Sequence, residues 1–320
     1  MTSLKVLVTG ASGFVGEAVV FKLLVDKKFC PIAAVRGASR LYGLCLVRPL
    51  DLGDAKILPV LDDVQVVIHA AARVHVMNEV AVDALTEFRK VNVQGTLKLA
   101  QRAAESGVKR FIFISSIKVN GESTTPGKPF KSDDPSNPGD PYGVSKYEAE
   151  EALKQLGRET GMDVVIIRPP LVYGPGVKAN FLTMLNWLNK GIPLPLGAIR
   201  NNRSLVAIGN LANLIVTCID HPAAANQTFL VSDGVDLSTT QLLRRLSSAL
   251  GKPARLLPVP EWLLKLAASS LGKQAAVQRI CGSLQVDISK NRELLGWTPP
   301  VTMDKAMRQT AGHYLDKQAK

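Results

Sequence analysis

Tyr142 and Lys146 stand four residues apart in Pro141-Tyr142-Gly143-Val144-Ser145-Lys146. On a helix that spacing places both side chains on one face, a turn apart. A tyrosine is a poor acid or base at neutral pH unless a neighbouring cation lowers its pKa. Lys146 is positioned to do so and also to hold a ribose hydroxyl. Upstream, Phe111-Ile112-Phe113-Ile114-Ser115-Ser116 is an apolar run ending in two serines. As a parallel strand it would deliver a hydroxyl to the carboxyl edge of a sheet, where open α/β sheets bind their ligands. Such a set can move a proton to or from an alcohol or ketone oxygen.

A second constellation opens the chain. Thr9-Gly10-Ala11-Ser12-Gly13-Phe14-Val15-Gly16 follows a strand-like run and starts a helical one. Gly10 permits the tight turn, Gly13 a close backbone approach to a pyrophosphate, and Gly16 close packing of helix on strand, while the helix N-terminus offers free N–H groups. The spacing is G-x-x-G-x-x-G, and the strand–turn–helix context marks a dinucleotide site that includes Ser12, Phe14 and Val15. At the end of the second strand, Ala34-Val35-Arg36-Gly37-Ala38-Ser39-Arg40 carries arginines where an acid would select NAD. A guanidinium suits a 2′-phosphate, so NADP(H) is the expected cofactor, with NAD(H) the alternative. Asp51-Leu52, past the next strand, is placed to meet the adenine.

The elements that must hold these groups alternate. Strand candidates are Val6 to Val8, Ile32 to Val35, Val64 to His69, Phe111 to Ser115 and Val164 to Ile167. Helical stretches run from Gly16 to Asp26, Asp83 to Glu105 and Tyr142 to Glu159. The pattern predicts an α/β fold, a Rossmann doubly wound parallel sheet, over 1–170 with a return at 204–232. Pieces broken by Pro and Gly, 171–203 and 233–320, are expected to form a smaller, discontinuous C-terminal lobe for the substrate. Asn120 to Pro141, rich in Gly, Pro, Ser and Asp, is expected as a long functional surface loop.

Composition narrows the class. The chain has 320 residues, 46% hydrophobic and 21% charged, as in a globular enzyme. Its four cysteines (Cys30, Cys45, Cys218, Cys281) show neither metal-ligand spacing nor a disulfide framework, so no metal is expected. With no spanning apolar run and no leader pattern before Leu4, a cytoplasmic protein without integral membrane association is expected. The net charge of +12 is spread along the chain without the dense basic runs of a nucleic-acid binder, and suits phosphate-rich ligands. Glu261-Trp262-Leu263-Leu264-Lys265-Leu266 has amphipathic character. The preferred reading is a helix packed on its own domain, with a membrane surface the other possibility.

These motifs together resemble the extended short-chain dehydrogenase/reductase superfamily, and within it the nucleotide-sugar epimerase/dehydratase family typified by UDP-galactose 4-epimerase. The resemblance extends through His69-Ala70-Ala71-Ala72, Val91-Asn92-Val93-Gln94-Gly95-Thr96 and Arg168-Pro169-Pro170-Leu171-Val172-Tyr173-Gly174. It continues to Asn180-Phe181, Arg203 and Leu294-Leu295-Gly296-Trp297-Thr298-Pro299. It implies that Ser116 and Tyr142 contact the reacting sugar oxygen, with Lys146 supporting tyrosine and cofactor. Ala70, Ala71, Ala72, Asn92, Ser115 and Pro169 would line the cofactor, Asn92 also bracing backbone or water. Asn180 and Arg203 match positions that hold a nucleotide diphosphate, although Asn180 could equally cap a helix and Arg203 pair with a surface acid. Family members often dimerise through a four-helix bundle that includes the Tyr/Lys helix, so the resemblance admits a homodimer.

Departures from the family shape the expected reaction. Ile117-Lys118 follows Ser116 where sugar dehydratases carry an acidic pair, which disfavours dehydration, and Asn120 stands where a tyrosine is usual. Ser115 to Glu122 and Ala71-Ala72-Arg73-Val74-His75-Val76 resemble bacterial surface-polysaccharide (O-antigen) enzymes that reduce a UDP-4-keto-6-deoxy-N-acetylglucosamine. In these strings Arg73 and Lys118 would face the UDP-sugar. The expected activity is therefore NADPH-dependent reduction of the C4 ketone to UDP-N-acetylquinovosamine or UDP-N-acetylfucosamine. A UDP-N-acetylhexosamine 4-epimerase with tightly bound NAD is the alternative.

Overall fold

Runs that are apolar at every position, such as Val6-Leu7-Val8 and Phe111 to Ile114, form strands buried on both faces of one sheet. The computed structural model describes residues 3–53, 58–74, 84–270, 272 and 274–319. The readings at His75, Val76 and Asp83 fall outside them.

The first half holds β1 (Leu4–Thr9), α1 (Phe14–Asp26), β2 (Phe29–Val35), β3 (Leu46–Pro49), β4 (Val66–His69), α2 (Ala84–Phe88), α3 (Thr96–Glu105), β5 (Arg110–Ile114), α4 (Pro141–Thr160) and β6 (Asp163–Arg168). A π-helical stretch, Arg89–Gly95, joins α2 to α3. There follow β7 (Leu171–Tyr173), α5 (Ala179–Asn189), β8 (Arg203–Ala207), α6 (Ile208–Thr217), β9 (Thr228–Leu230) and β10 (Asp236–Leu237). The chain closes with α7 (Thr239–Ala249), α8 (Glu261–Ser270), α9 (Gln274–Cys281), α10 (Ser289–Leu295) and α11 (Met303–Gln318).

Seven strands make one parallel sheet in the order β3-β2-β1-β4-β5-β6-β9. The chain winds outward from β1 to β3, then returns to β4 on the other side of β1, creating a switch point between β1 and β4. The period of two along each strand divides the core. Val6 and Val8 pack with Val19, Leu23 of α1 and Leu211, Leu214 of α6 on one face. Leu7 and Phe111 pack with Leu99 of α3 and Leu153 of α4 on the other. This is a Rossmann-type, doubly wound α/β fold.

A second sheet, β10-β8-β7, carries its own core of Tyr173, Phe181, Leu185, Leu243, Leu246 and Met307 beneath α5, α7 and α11. β8 lies in this small sheet, pairing with β7, so the return to the large sheet is made by α6 and β9, later than the residue 204 expected from the sequence. The Asn120–Pro141 loop connects the two sheets' territories. Phe130 N–H donates to Gln285 O at 2.9 Å, Asp287 N–H to Phe130 O at 2.8 Å, and Thr124 N–H to Ser283 O at 2.9 Å.

One expectation is overturned here. α8 buries only Ala268, while Trp262, Leu263 and Leu266 stay exposed, so it is not a helix packed through its apolar face onto its own domain.

The phosphate turn is sterically tight. Gly10 has φ +64°, and a Cβ on Gly16 would lie 2.3 Å from the Gly10 carbonyl oxygen. Gly16→Ala is expected to lower stability by about 1–3 kcal/mol or more in thermal denaturation. Gly37→Ala, where a Cβ meets nothing within 4 Å, should leave the melting temperature nearly unchanged.

Candidate active site

The carboxyl ends of β1, β4 and β5 and the N-termini of α1 and α4 meet at the switch point. At α1 the turn Ala11-Ser12-Gly13 leads into Phe14 and Val15. Gly13 N–H is held by Gly10 O at 2.8 Å, and the N-cap Gly13 supplies no side-chain cap. The remaining first-turn N–H groups are therefore available to an anion. Gly10 also lies against Ala70 and Ala71, where a Cβ would approach Ala71 N to 2.7 Å. A cradle with no room for Cβ atoms and an uncapped helix start fits a dinucleotide pyrophosphate. Ala70, Ala71 and Ala72, all half-buried, form its opposite wall.

α4 starts where the sequence places it because Asp140 caps it and Pro141 occupies its first turn. Asp140 Oδ1 accepts from Gly143 N–H at 2.7 Å. Tyr142 and Lys146 then project from successive turns. The Tyr142 ring meets Phe88 edge-on with centroids 5.9 Å apart. Lys146 is buried; its Nζ donates to Ile114 O at 2.8 Å and sits 4.3 Å from the Phe113 ring centroid. Ser116 is half-buried at the end of β5 and its hydroxyl accepts from Lys118 N–H at 3.3 Å. Tyr142, Lys146 and Ser116 thus gather at one edge of the sheet.

The neighbouring residues fall into supporting roles. Asn92 Oδ1 accepts from Arg73 N–H at 2.8 Å, and its Nδ2 donates to Arg73 O at 3.1 Å and Ser145 Oγ at 3.1 Å. The amide thus braces the Arg73 backbone against Ser145 of α4. Ser115, expected at the cofactor, is turned inward and donates to Glu150 Oε1 at 2.5 Å. Glu150 and Arg168 form a fully buried bidentate pair, with Nη2–Oε2 at 2.6 Å and Nε–Oε1 at 3.0 Å. Arg168 also donates to Asn120 Oδ1 at 2.9 Å, and Asn120 Nδ2 to Lys131 O at 3.0 Å. The asparagine at the family's tyrosine position is therefore an anchor for the long loop. Pro169 is buried and its carbonyl accepts from Ile117 N–H at 3.0 Å, aligning β6 with the serine end of β5.

Other predicted ligands are engaged elsewhere or stand apart. Arg40 is turned onto α1 and ion-paired with Glu17. Arg36 is exposed at the end of β2. Asp51 Oδ1 accepts from Gly53 N–H at 2.9 Å, and Leu52 packs on the core. Lys118 bridges Asp140 and Glu122, which ties it to the α4 cap. The Arg73 guanidinium lies 3.9 Å from Glu87. Asn180 is exposed in the first turn of α5, though Lys178 is that helix's N-cap. Arg203 Nη1 donates to Arg279 O at 2.7 Å and Gly282 O at 2.9 Å, holding the C-terminal end of α9 without an acid partner. Among the described residues no cluster of metal-ligating side chains occurs.

The electrostatics are those of a dry pocket. Burial lowers the Lys146 ammonium to about 7, opposed by Glu150 one turn along. Burial, and secondarily the Asp140 carboxylate, push the Tyr142 phenol up. His69, buried between Thr9 Oγ1 at 2.7 Å and Thr96 Oγ1 at 2.9 Å, is brought down to about 3 by burial and then by Lys146. It is a neutral strut. The site therefore combines a protonated phenol with a lysine brought down to about 7. Reading the sequence missed Phe88, Phe113, Glu150 and the His69 strut. Glu150, one further helical turn from Lys146, was the one such position whose spacing carried a signal.

A doubly wound parallel sheet with a glycine turn at α1 and a Tyr-x-x-x-Lys helix after β5 defines an extended short-chain dehydrogenase/reductase. Residues 6–232 match the NAD dependent epimerase/dehydratase family, and the chain belongs to that family of enzymes. A UDP-glucose 4-epimerase of Vibrio cholerae is 51% identical over 317 residues, 97% of this chain and 95% of that protein. The N-acetyl-alpha-D-glucosaminyl-diphospho-ditrans,octacis-undecaprenol 4-epimerase of Escherichia coli O157:H7 is 26% identical over 322 residues, 95% and 93% of the two chains. Among solved structures, the UDP-glucose 4-epimerase of Thermotoga maritima, with UDP-glucose, shares the fold at a TM-score of 0.78. It is 23% identical, with 99% of this chain and 100% of that one covered.

Lys146 generates a pH-dependent prediction. Its folded value near 7 lies below the ordinary lysine value of 10.5, so between them the unfolded chain binds more protons. The folded state therefore gains stability from this side chain as pH rises through that window, and is penalised below it. Lys146→Met should raise the melting temperature at about pH 6, by roughly 2–4 °C for each kcal/mol of relieved strain. That advantage should shrink towards about pH 10. Melting curves of both proteins across pH measure it, and a constant difference would contradict a depressed Lys146.

Proposed function

We propose that the protein is a 4-epimerase of UDP-hexoses, of the UDP-glucose/galactose type or their N-acetylated counterparts, working with a retained NAD. The observation that carries this reading is the identity of 51% across nearly the full length of both chains with a protein named UDP-glucose 4-epimerase. It outweighs the net ketone reduction preferred from the sequence alone, which rested on short strings around Ser116 and on Arg36. Solved relatives of this fold carry NAD by name, as in UDP-glucuronic acid 4-epimerase from Bacillus cereus, and a preference for NADP lacks comparable support.

The chain's own residues fit the task. Gly10, Gly13 and the α1 N-terminus would hold the pyrophosphate, and Lys146 the nicotinamide ribose. Held there, NAD would supply reversible hydride exchange with the sugar C4, with no net consumption of reductant. Tyr142 would accept the proton of the C4 hydroxyl as the ketone forms and return it to the oxygen afterwards. Ser116 would hydrogen-bond that oxygen, and a charged Lys146 would bring the raised phenol pKa down. Asn180 and Arg203 remain proposed diphosphate contacts, Arg203 only if it exchanges its carbonyl partners for phosphate.

Purified protein should interconvert UDP-GlcNAc and UDP-GalNAc, or UDP-glucose and UDP-galactose, without added cofactor and without net change in reduced nicotinamide. Tyr142→Phe should slow this by about 10²–10⁴-fold while retaining the dinucleotide. One observation favours a second reading, 4-keto reduction with NADPH: the absence of an acid after β2, with Arg36 exposed there. Stoichiometric NADPH oxidation with a UDP-4-keto-6-deoxy sugar, no interconversion, and selective loss of NADPH affinity in Arg36→Ala would replace the epimerase reading with the reductase.

A further inference from the structure

Among the described residues the most exposed aromatic side chain is on α8. Trp262 is 67% exposed, Leu266 58% and Leu263 41%, while the opposite side of the helix buries Ala268 and packs towards α9. At 3.6 residues per turn, Trp262, Leu263 and Leu266 fall within an arc of about 100°. They form one outward stripe, not scattered exposures. Lys265 flanks the stripe, and its ammonium is mostly solvated, 3.8 Å from Glu261.

Charge points to what the stripe meets. From residue 251 to 282 the sequence contains Lys252, Arg255, Lys265, Lys273 and Arg279, and Glu261 is the single acid. Lys252, Arg255, Lys265 and Arg279 are exposed. Within a chain of net charge +12, this segment joins an apolar stripe containing a tryptophan to a basic surround. That combination suits the interface of an anionic bilayer, where indole rings settle at headgroup depth and each basic side chain near the surface adds about 1 kcal/mol. No helix among the described residues is long and apolar enough to cross a membrane. A bilayer contact made by α8 would therefore be superficial, with the helix along the surface.

We propose that α8 docks onto anionic lipid bilayers through Trp262, Leu263 and Leu266, with Lys252, Arg255, Lys265 and Arg279 contacting the headgroups. The cavity of about 390 Å³ between α8 and α9, lined by Lys265, Ala268, Gln274, Val277, Gln278 and Cys281, would then sit near the membrane. The proposal is independent of which reaction the distant Tyr142 site performs.

The test is co-sedimentation of the full chain with vesicles of phosphatidylglycerol and phosphatidylcholine, and with vesicles of phosphatidylcholine alone. Wild-type protein should pellet with the anionic vesicles, be released by salt, and stay in solution with the neutral ones. The double variant Trp262→Ser, Leu266→Ser should bind roughly tenfold or more weakly. Both positions are solvent-exposed, so its melting temperature and dinucleotide binding should match wild type. Failure of the wild type to pellet, or equal pelleting by the variant, overturns the proposal. So does a wild-type dimer that the double variant converts to monomer, since the stripe would then be covered by a second copy of the chain.

Discussion

A carboxylate with no exposure to water, Glu150, must have every lone pair met, because burying an unpaired charge costs several kcal/mol. Its two partners come from the ends of two strands, and the carboxylate itself from a helix. Arg168 reaches it from the end of β6, Ser115 from the end of β5, and its own helix α4 presents it one turn beyond Lys146. Satisfying this one charge therefore fixes the rotation of α4 against the carboxyl edge of the sheet. Tyr142 and Lys146 inherit that rotation, and Ser116 inherits the strand end that Ser115 pins. The pair also extends outward, since Arg168 holds Asn120 and Asn120 holds the loop carbonyl at Lys131.

The same geometry explains what a linear reading could and could not find. The central strands β1, β4, β5 and β6 were legible because their middle residues are apolar on both faces, as a sheet covered by helices on both sides requires. The glycine turn and the Tyr142–Lys146 spacing were legible because both are local, set by backbone sterics and helical pitch. Sheet membership was not. β8 has the composition of a central strand, yet it pairs with β7, and only tertiary contacts decide this. Side-chain destinations were likewise hidden. Arg40 has the right type for a phosphate but finds Glu17, and Lys118 finds Asp140. Ser115 and Ser116 are adjacent in sequence, yet the strand's alternation turns one into the Glu150 network and leaves the other half-exposed.

Placing an amine in so dry a pocket is a local cost to stability that ordinary core chemistry would avoid. The Phe113 ring at 4.3 Å and the Ile114 carbonyl are its compensation, and Glu150 adds a favourable field from the next turn. These contacts come from the strand and the helix that carry the other reactive groups. The site is therefore assembled from rigid elements, with the loops acting as braces.

The Asn120–Pro141 loop has a mechanical consequence. It is bonded at Phe130 and Thr124 to residues 283–287 of the small lobe and, through Asn120, to the ion pair beneath α4. The two walls of the cleft are thus sewn together along one edge, and a hinge between them would have to tear backbone hydrogen bonds. Any chemistry that must present first one face and then the other of a sugar carbon to a fixed partner would have to reorient the guest inside an unyielding host. The freedom required for inversion would then reside in the ligand's own rotatable bonds.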